Sequence, residues 1–180
     1  MGARVMIEDA LSHAGATDDI DAMLDQFLVH YEANIANESR PFPGAAEAID
    51  DLKAAGARLA VCTNKREYLS RKLLKELGLE CHFRVIAGRD TFACSKPDPR
   101  HLTDTIRLAG GRIDRALMIG DSEVDLRTAK SAGVPIVMVS FGYPRGRIPV
   151  HEADGVIDYF GALPALAHRL LGRPATRVAS

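Results

Sequence analysis

Apolar residues recur along this chain in two ways, as short uninterrupted runs and as stretches of helical spacing. Runs without polar alternation are typical of strands buried on both faces of a parallel sheet. The stretches between them repeat apolar residues every three or four positions, as helices that cover such a sheet do. The predicted strands are 58–62, 83–88, 116–120, 135–140 and 155–159, and the predicted helices are 45–55, 67–77, one ending at Leu108, 122–132 and 162–171.

This alternation of strands and helices indicates an α/β protein. We predict a doubly wound parallel sheet with a Rossmann-like core and helices on both faces. Open sheets of this kind bind ligands beyond the carboxyl ends of their strands. The residues that directly follow each predicted strand are therefore the candidates for a functional site.

The first part of the chain differs from the rest, because it has helical periodicity and no strand pattern. The breaker cluster RPFPG at 40–44 separates it from the remaining chain and suits a hinge. Asp18 or Asp19 is placed to cap a helix in this part. The predicted organisation is a helical segment at 1–40, an α/β core at 41–172 and a frayed tail at 173–180.

Composition excludes several classes of function. The chain has 180 residues, 47% of them hydrophobic, and a net charge of -1, so neither nucleic acid nor an anionic membrane is expected as a partner. The apolar runs are too short to span a bilayer, and the N-terminus MGARVMIEDA lacks the apolar core of a signal peptide. The three cysteines of the chain lack C-x-x-C spacing, which suits reduced thiols. We therefore expect a cytoplasmic protein.

The strand at 58–62 is followed by Thr63 and Asn64. A hydroxyl group and the free amides at a helix N-terminus can together hold a phosphate oxygen. The alternative is an ordinary helix cap, for which Thr and Asn are also suited.

The strand at 83–88 leads into a loop that carries Lys96 directly before Pro97. A lysine held there could neutralise a phosphoryl group during its transfer. The alternative is a solvated lysine in a loop.

The strand at 116–120 ends at Asp121, and Asp125 comes one helical turn later. The two carboxylates are therefore expected to share a helix face. Acids near a helix N-terminus are also favourable by themselves, so simple capping is the alternative. Mg²⁺ takes one or two carboxylates, keeps water ligands and accepts phosphate oxygens, which makes this acid pair a candidate metal site. Glu123, between them, is expected to face solvent.

Taken together, these segments resemble the motifs of haloacid-dehalogenase-superfamily hydrolases. AVCTNK is similar to the second motif of that family, SKPDP to the third and MIGDSEVD to the fourth, and the resemblance covers about residues 41–171. It is greatest to the phosphoglycolate phosphatase branch.

The resemblance implies a Mg²⁺-dependent hydrolysis of a small phosphorylated metabolite. Thr63 and Asn64 would bind the phosphate, Lys96 would steady phosphate and nucleophile, Asp121 would bind Mg²⁺ and Asp125 would support the metal site. Residues 1–40 would be part of a helical cap that closes over the substrate.

One family motif has no counterpart in this sequence. Family members form an aspartyl-phosphate on the first Asp of a D-x-D-G-T motif, which ends a central strand. The nearest match is Asp19 and Asp21, but Ala22 and Met23 stand where the family has Gly and Thr, and no buried strand precedes them. We therefore expect the first central strand and its nucleophile to be missing from this chain.

Without that strand, the strands at 58–62 and 116–120 would each leave backbone groups unpaired, at about 1–3 kcal/mol for each buried group. A fragment, a misplaced start, a partner that donates a strand, or a homodimer would each account for this. Direct pairing of the two flanking strands, with distorted geometry, is a further alternative.

Two other classes of protein remain alternatives to an active hydrolase. One is a catalytically inactive protein that keeps the phosphate and metal groups. The other is a different doubly wound protein, such as a response-regulator receiver or a dinucleotide-binding protein. No G-x-G-x-x-G motif follows any predicted strand, which argues against the dinucleotide-binding class.

Overall fold

The computed structural model of the chain describes residues 3–15, 19–141 and 150–172. The chain divides into two compact units between Arg40 and Pro41. In the described residues, the first unit contains helices only, and the second contains all the strands.

The first unit contains two helices that pack against each other, α1 (Ala3–Ala14) and α2 (Ile20–Ala33). Asp19 is the N-cap of α2, where its carboxylate accepts hydrogen bonds from the amides of Asp21 at 3.0 Å and Ala22 at 3.3 Å. The predicted helix cap is therefore confirmed for Asp19. Capping α2 is therefore a sufficient structural role for Asp19, and its D-x-D spacing with Asp21 does not require a catalytic role.

The second unit alternates helices and strands along the chain, as predicted. Each observed strand lies inside a predicted one but is shorter, because ladder pairing stops before the apolar run does. The helices are α3 (Ala45–Ala54), α4 (Glu67–Glu76), α5 (Pro99–Leu108), α6 (Glu123–Ala132) and α7 (Leu163–Leu171), and the strands are β1 (Ala60–Cys62), β2 (Val85–Ala87), β3 (Met118–Gly120), β4 (Ile136–Val139) and β5 (Gly155–Ile157).

All strand pairs in the described residues are parallel, which confirms the predicted type of sheet. They form two sheets, one with the order β1-β2 and one with the order β3-β4-β5. In the first sheet Val61 lies opposite Ile86, and in the second Ile119 lies opposite Val137.

Within the described residues, three clusters of buried hydrophobic residues pack against the two sheets. The largest cluster joins strand residues of the second sheet, such as Met118 and Ile136, to residues of α5 and α6, such as Leu102 and Leu126. Cys62 at the end of β1 also packs against this cluster. The end of β1 is therefore anchored in the same core as β3, even though no ladder joins the two strands in the described part of the chain.

β1 and β3 are less covered than their neighbours. Every residue of β4 is buried, whereas Ile119 in the middle of β3 is 37% exposed and all three residues of β1 are only partly buried. Each of these two strands pairs on one side only within the described residues. The two strands that carry candidate site residues at their ends therefore each have an edge without a described partner.

Parts of the predicted organisation lie outside the described residues, namely most of the loop after 140 and the tail at 173–180. Within the residues that are described, no helix combines the length and the apolar character that a membrane crossing requires.

Truncating a core strand residue should cost far more stability than the same change on an exposed strand face. Val137 is fully buried in β4, whereas Val156 on the adjacent strand β5 is 43% exposed. We expect Val137→Ala to lower the free energy of unfolding by roughly 1.5–3 kcal/mol and Val156→Ala to change it by less than about 0.5 kcal/mol. Urea unfolding measures both, and equal losses would contradict this assignment of the core.

Candidate active site

The end of β3 and the start of α6 form a tight acidic turn. Ser122 is the N-cap of α6, and it forms a capping box with Asp125, whose carboxylate oxygen Oδ2 accepts from the Ser122 hydroxyl at 2.6 Å and from the amide of Ser122 at 3.2 Å. The amide of Asp121 reaches the same oxygen at 3.3 Å. Gly120 permits this approach, because a Cβ there would lie 2.4 Å from the Cβ of Asp125.

This geometry corrects one expectation from the sequence. Asp121 and Asp125 were expected to share a helix face, but α6 begins at Glu123, so Asp121 lies before the helix. The two acids are close because the turn folds back onto Asp125. Glu123 is exposed, as expected. The contribution of Ser122 was missed, although the spacing of Ser122 and Asp125 is the sequence signal of a capping box.

Lys96 is paired with Asp125 inside the protein. The Lys96 Nζ atom lies 2.5 Å from Asp125 Oδ1, and the two side chains are only 10% and 6% exposed. Lys96 is therefore not the solvated loop lysine of the alternative interpretation. Because Ser122 and Asp121 occupy the other oxygen of Asp125, every donor that surrounds this carboxylate stabilises its charged form.

The two acids of this site have opposite pKa shifts. Burial favours the neutral form of Asp125, but the attraction of the Lys96 ammonium and the hydrogen bonds from Lys96 and Ser122 outweigh it, so the pKa of Asp125 is lowered. Partial burial and then repulsion from Asp125 raise the pKa of Asp121. Of the two carboxylates, Asp121 therefore has the negative charge that is less balanced by positive charges and hydrogen-bond donors.

This pattern fits a divalent cation at Asp121. Asp125 is already held by the Lys96 ammonium and by amide and hydroxyl donors, whereas the Asp121 carboxylate is only partly buried and remains accessible. No group of three or more His, Cys, Asp or Glu side chains suited to a metal occurs within residues 3–15, 19–141 and 150–172. An ion held by one carboxylate, water and substrate oxygens is the mode that Mg²⁺ uses in phosphate enzymes.

Thr63 and Asn64 lie at the end of β1, in contact with the loop that carries Lys96. The side-chain amide of Asn64 donates to the backbone carbonyl of Lys96 at 2.9 Å, and the Thr63 hydroxyl accepts from the amide of Lys65 at 3.1 Å. The contacts Asn64–Lys96, Lys96–Asp125 and Asp125–Asp121 connect four of the five predicted site residues, and Thr63 adjoins Asn64.

The prediction that Thr63 and Asn64 hold a phosphate at the N-terminus of a helix is wrong in one respect. Thr63 and Asn64 do not open a helix, because α4 begins only at Glu67 with Arg66 as its N-cap. The amide of Glu67 donates to the Asp90 carboxylate at 2.8 Å. A phosphate near Thr63 would therefore meet the amides and side chains of the loop, and not a free first turn of α4.

Parallel strands joined through helices, with a charged site at their carboxyl ends, define the class of Rossmann-like α/β proteins. The sequence profile of the haloacid dehalogenase-like hydrolases matches residues 4–139. The chain therefore belongs to the haloacid dehalogenase-like hydrolase family, and it is a hydrolase of the phosphatase kind.

Curated relatives support this placement. A phosphoglycolate phosphatase from Mesorhizobium japonicum is 52% identical over 174 residues, which are 94% of this chain and 77% of that protein. A phosphoglycolate phosphatase from Agrobacterium fabrum is 46% identical over 178 residues, or 97% of this chain and 76% of that protein.

Solved structures show the same fold. A predicted phosphoglycolate phosphatase from Haemophilus somnus has a TM-score of 0.82 and 27% identity, covering 88% of this chain and 72% of that one. CbbY from Rhodobacter sphaeroides, solved in complex with phosphate, has a TM-score of 0.70 and 30% identity, covering 82% of this chain and 67% of that one.

Breaking the buried ion pair should strongly destabilise the folded protein. Asp125→Asn leaves the Lys96 ammonium buried without its counter-charge, so we expect the free energy of unfolding to fall by roughly 3–5 kcal/mol at neutral pH. The matched control is Asp104→Asn, which breaks an exposed pair with Arg107 and should cost less than about 1 kcal/mol.

The pH dependence of this loss has a definite sign. Since the pKa of Asp125 is lowered on folding, its contribution is fully present above its ordinary pKa near 4 and is lost as the pH falls through the folded-state value. The difference between the wild type and Asp125→Asn should therefore shrink below about pH 4. Urea unfolding at several pH values measures it, and a difference that stays constant into strong acid would contradict the ion-pair account.

Proposed function

We propose that this chain is a Mg²⁺-dependent phosphomonoester hydrolase with a substrate of the 2-phosphoglycolate type. The observation that carries the proposal is the buried Lys96–Asp125 pair beside Asp121, the less compensated of the two acids, at the carboxyl ends of β1 and β3. The substrate class is supported by the identity of the curated relatives, which are named phosphoglycolate phosphatases.

Each site residue has a role that its chemistry supports. Thr63 and Asn64 bind phosphate oxygens through their hydroxyl and amide groups, and Lys96 neutralises the phosphate charge. Asp121 holds Mg²⁺, which when bound neutralises phosphate charge and orients the substrate. Asp125 supports the metal site by holding Lys96 through Oδ1 and the turn at Asp121 through Oδ2.

We further propose that the nucleophilic carboxylate arrives on an extended segment that pairs with the edges of β1 and β3. Those edges have no partner among the described residues, and both strands end at candidate site residues. An apolar segment would cover Ile119 and the partly buried β1, and a carboxylate at its end would lie beside Lys96 and Asp121. A partner of different sequence that donates a strand would supply such a segment. A second copy in a homodimer could pair with the strand edges, but it carries no D-x-D-G-T motif.

We propose that the first unit is part of a helical cap. Its separation from the core at Arg40 and Pro41 supports the assignment. A cap that closes on the substrate excludes water and chooses among phosphorylated metabolites. The proposed partner is a small phosphorylated metabolite, without nucleic acid or membrane. The cytoplasm is the proposed location, which the free thiols of Cys62, Cys81 and Cys94 support.

Asp121→Asn should abolish Mg²⁺ binding without loss of stability. Because the pKa of Asp121 is raised, its negative charge opposes folding at neutral pH, so removing the charge should leave the melting temperature equal or higher. The matched control is Glu123→Gln, an exposed acid in the same turn that should keep Mg²⁺ binding. Isothermal calorimetry with MgCl₂ in the presence of inorganic phosphate measures this, and equal affinities in both variants would contradict the metal assignment.

A strand supplied in trans should generate Mg²⁺-dependent activity. We expect the purified chain to bind inorganic phosphate but to hydrolyse 2-phosphoglycolate slowly or not at all. A synthetic peptide with an apolar run ending in D-x-D-G-T should restore turnover, and the same peptide with its first Asp changed to Asn should not. Phosphate release, followed with and without EDTA, measures the rate.

The outcomes of this assay separate the alternatives. Turnover by the chain alone that Asp121→Asn abolishes would mean that the nucleophile lies in these residues, and the strand proposal would be wrong. Phosphate and Mg²⁺ binding without turnover under any condition would support an inactive phosphate-binding protein. Absence of phosphate binding would overturn the proposed function.

A further inference from the structure

His101 lies buried beside the proposed site and has no role in the chemistry described above. It is in α5 and is fully buried. Its ring nitrogen Nε2 lies 2.9 Å from the backbone carbonyl of Gly88, and its Nδ1 lies 3.6 Å from the Sγ of Cys62. The ring also contacts Phe92 edge-on, with 5.7 Å between ring centroids.

These contacts assign the protons of the ring. A carbonyl can only accept, so Nε2 carries a hydrogen and donates it to Gly88. Burial lowers the pKa of His101 and raises the pKa of the Cys62 thiol, so the ring is neutral and the thiol keeps its proton at neutral pH. Nδ1 therefore accepts a hydrogen bond from the thiol, and both ring nitrogens are satisfied inside the core.

The two hydrogen-bond partners of His101, Gly88 and Cys62, lie at the ends of strands that border the proposed site. Gly88 stands where the chain leaves β2, and His101 stands just inside α5, so their hydrogen bond closes the two ends of the loop 89–98 that carries Lys96. Cys62 is the last residue of β1, next to Thr63. One ring thus connects the ends of β1 and β2 to the start of the helix that follows Lys96.

We propose that His101 is a positioning residue, which holds the Lys96 loop against the end of β1 so that the Lys96 ammonium and Thr63 face the same phosphate. The bond from the Asn64 side chain to the carbonyl of Lys96 joins the same two segments nearer the site. An apolar side chain could fill the volume of the imidazole but would leave the Gly88 carbonyl with only the amide of Thr91, 3.2 Å away and inside the loop. The carbonyl would then no longer be tied to α5, and the loop could shift.

The test compares His101→Leu with His101→Gln. Glutamine keeps a donor near the position of Nε2 and should rescue the bond to Gly88, whereas leucine removes both polar contacts. The control is Ser70→Ala, which removes another buried hydrogen bond, to the carbonyl of Arg66 at the N-cap of α4, and leaves the contacts of His101 in place.

Two measurements are made on each variant of the whole chain. The first is the affinity for inorganic phosphate by calorimetry. This measurement rests on the proposed function, because it requires that the wild type binds phosphate. The second is the ¹⁵N resonance of the Lys96 ammonium, which burial and the Asp125 pair should protect from exchange whether or not phosphate binds. The second measurement decides the role of His101 even if the wild type does not bind phosphate and the proposed function fails.

We expect His101→Leu to weaken phosphate binding about tenfold or more, as the loss of one hydrogen bond from a charged group would, and to lose the protected Lys96 resonance. His101→Gln and Ser70→Ala should keep both. Retention of the resonance and of phosphate affinity in His101→Leu would overturn the proposal, as would their loss in a folded His101→Gln. If His101→Leu does not fold, His101→Asn replaces it, since its shorter amide does not reach Gly88, and the same losses are expected.

Discussion

The arrangement of this site depends on the buried ion pair between Lys96 and Asp125. Removing two charges from water is costly, and the pair persists only where the remaining hydrogen-bonding positions are also filled. Asp125 meets that condition, because its second oxygen accepts from Ser122 and from the amide of Asp121. The pair therefore fixes the start of α6, the end of β3 and the loop before α5 in a single geometry.

The sheet and the site are related through the same strands. β1 and β3 carry site residues at their ends, and they are also the strands with an edge left unpaired among the described residues. Unpaired backbone groups inside a core cost free energy, and the Lys96 ammonium at the strand ends favours an arriving carboxylate, while Asp121 would need a cation between itself and that carboxylate. A strand that ends in a carboxylate would satisfy both requirements at once, which is why we propose it as the source of the nucleophile.

Sequence reasoning succeeded where the determining interactions are local. Asp19 caps α2 as its position before a periodic apolar stretch predicted, and Gly133 ends α6 with a φ of 65° as a helix-ending glycine should. It failed where a contact depends on the fold. The first amide of α4 is bonded to Asp90, which is 23 residues away, and the ring of His101 is enclosed by the ends of two strands. A scattered histidine gives no sequence signal of such a contact.

The sequence by itself determined the order and type of the elements and the residues placed at the strand ends, because periodicity, capping and strand-end position are properties of neighbouring residues. It also carried the motifs that placed the chain among the hydrolases. Only the tertiary structure decided that Lys96 meets Asp125 across 29 residues of chain and that Asp121 is the less compensated of the two acids. Those outcomes depend on which strand ends pack side by side and on how much water the packing removes from each charge.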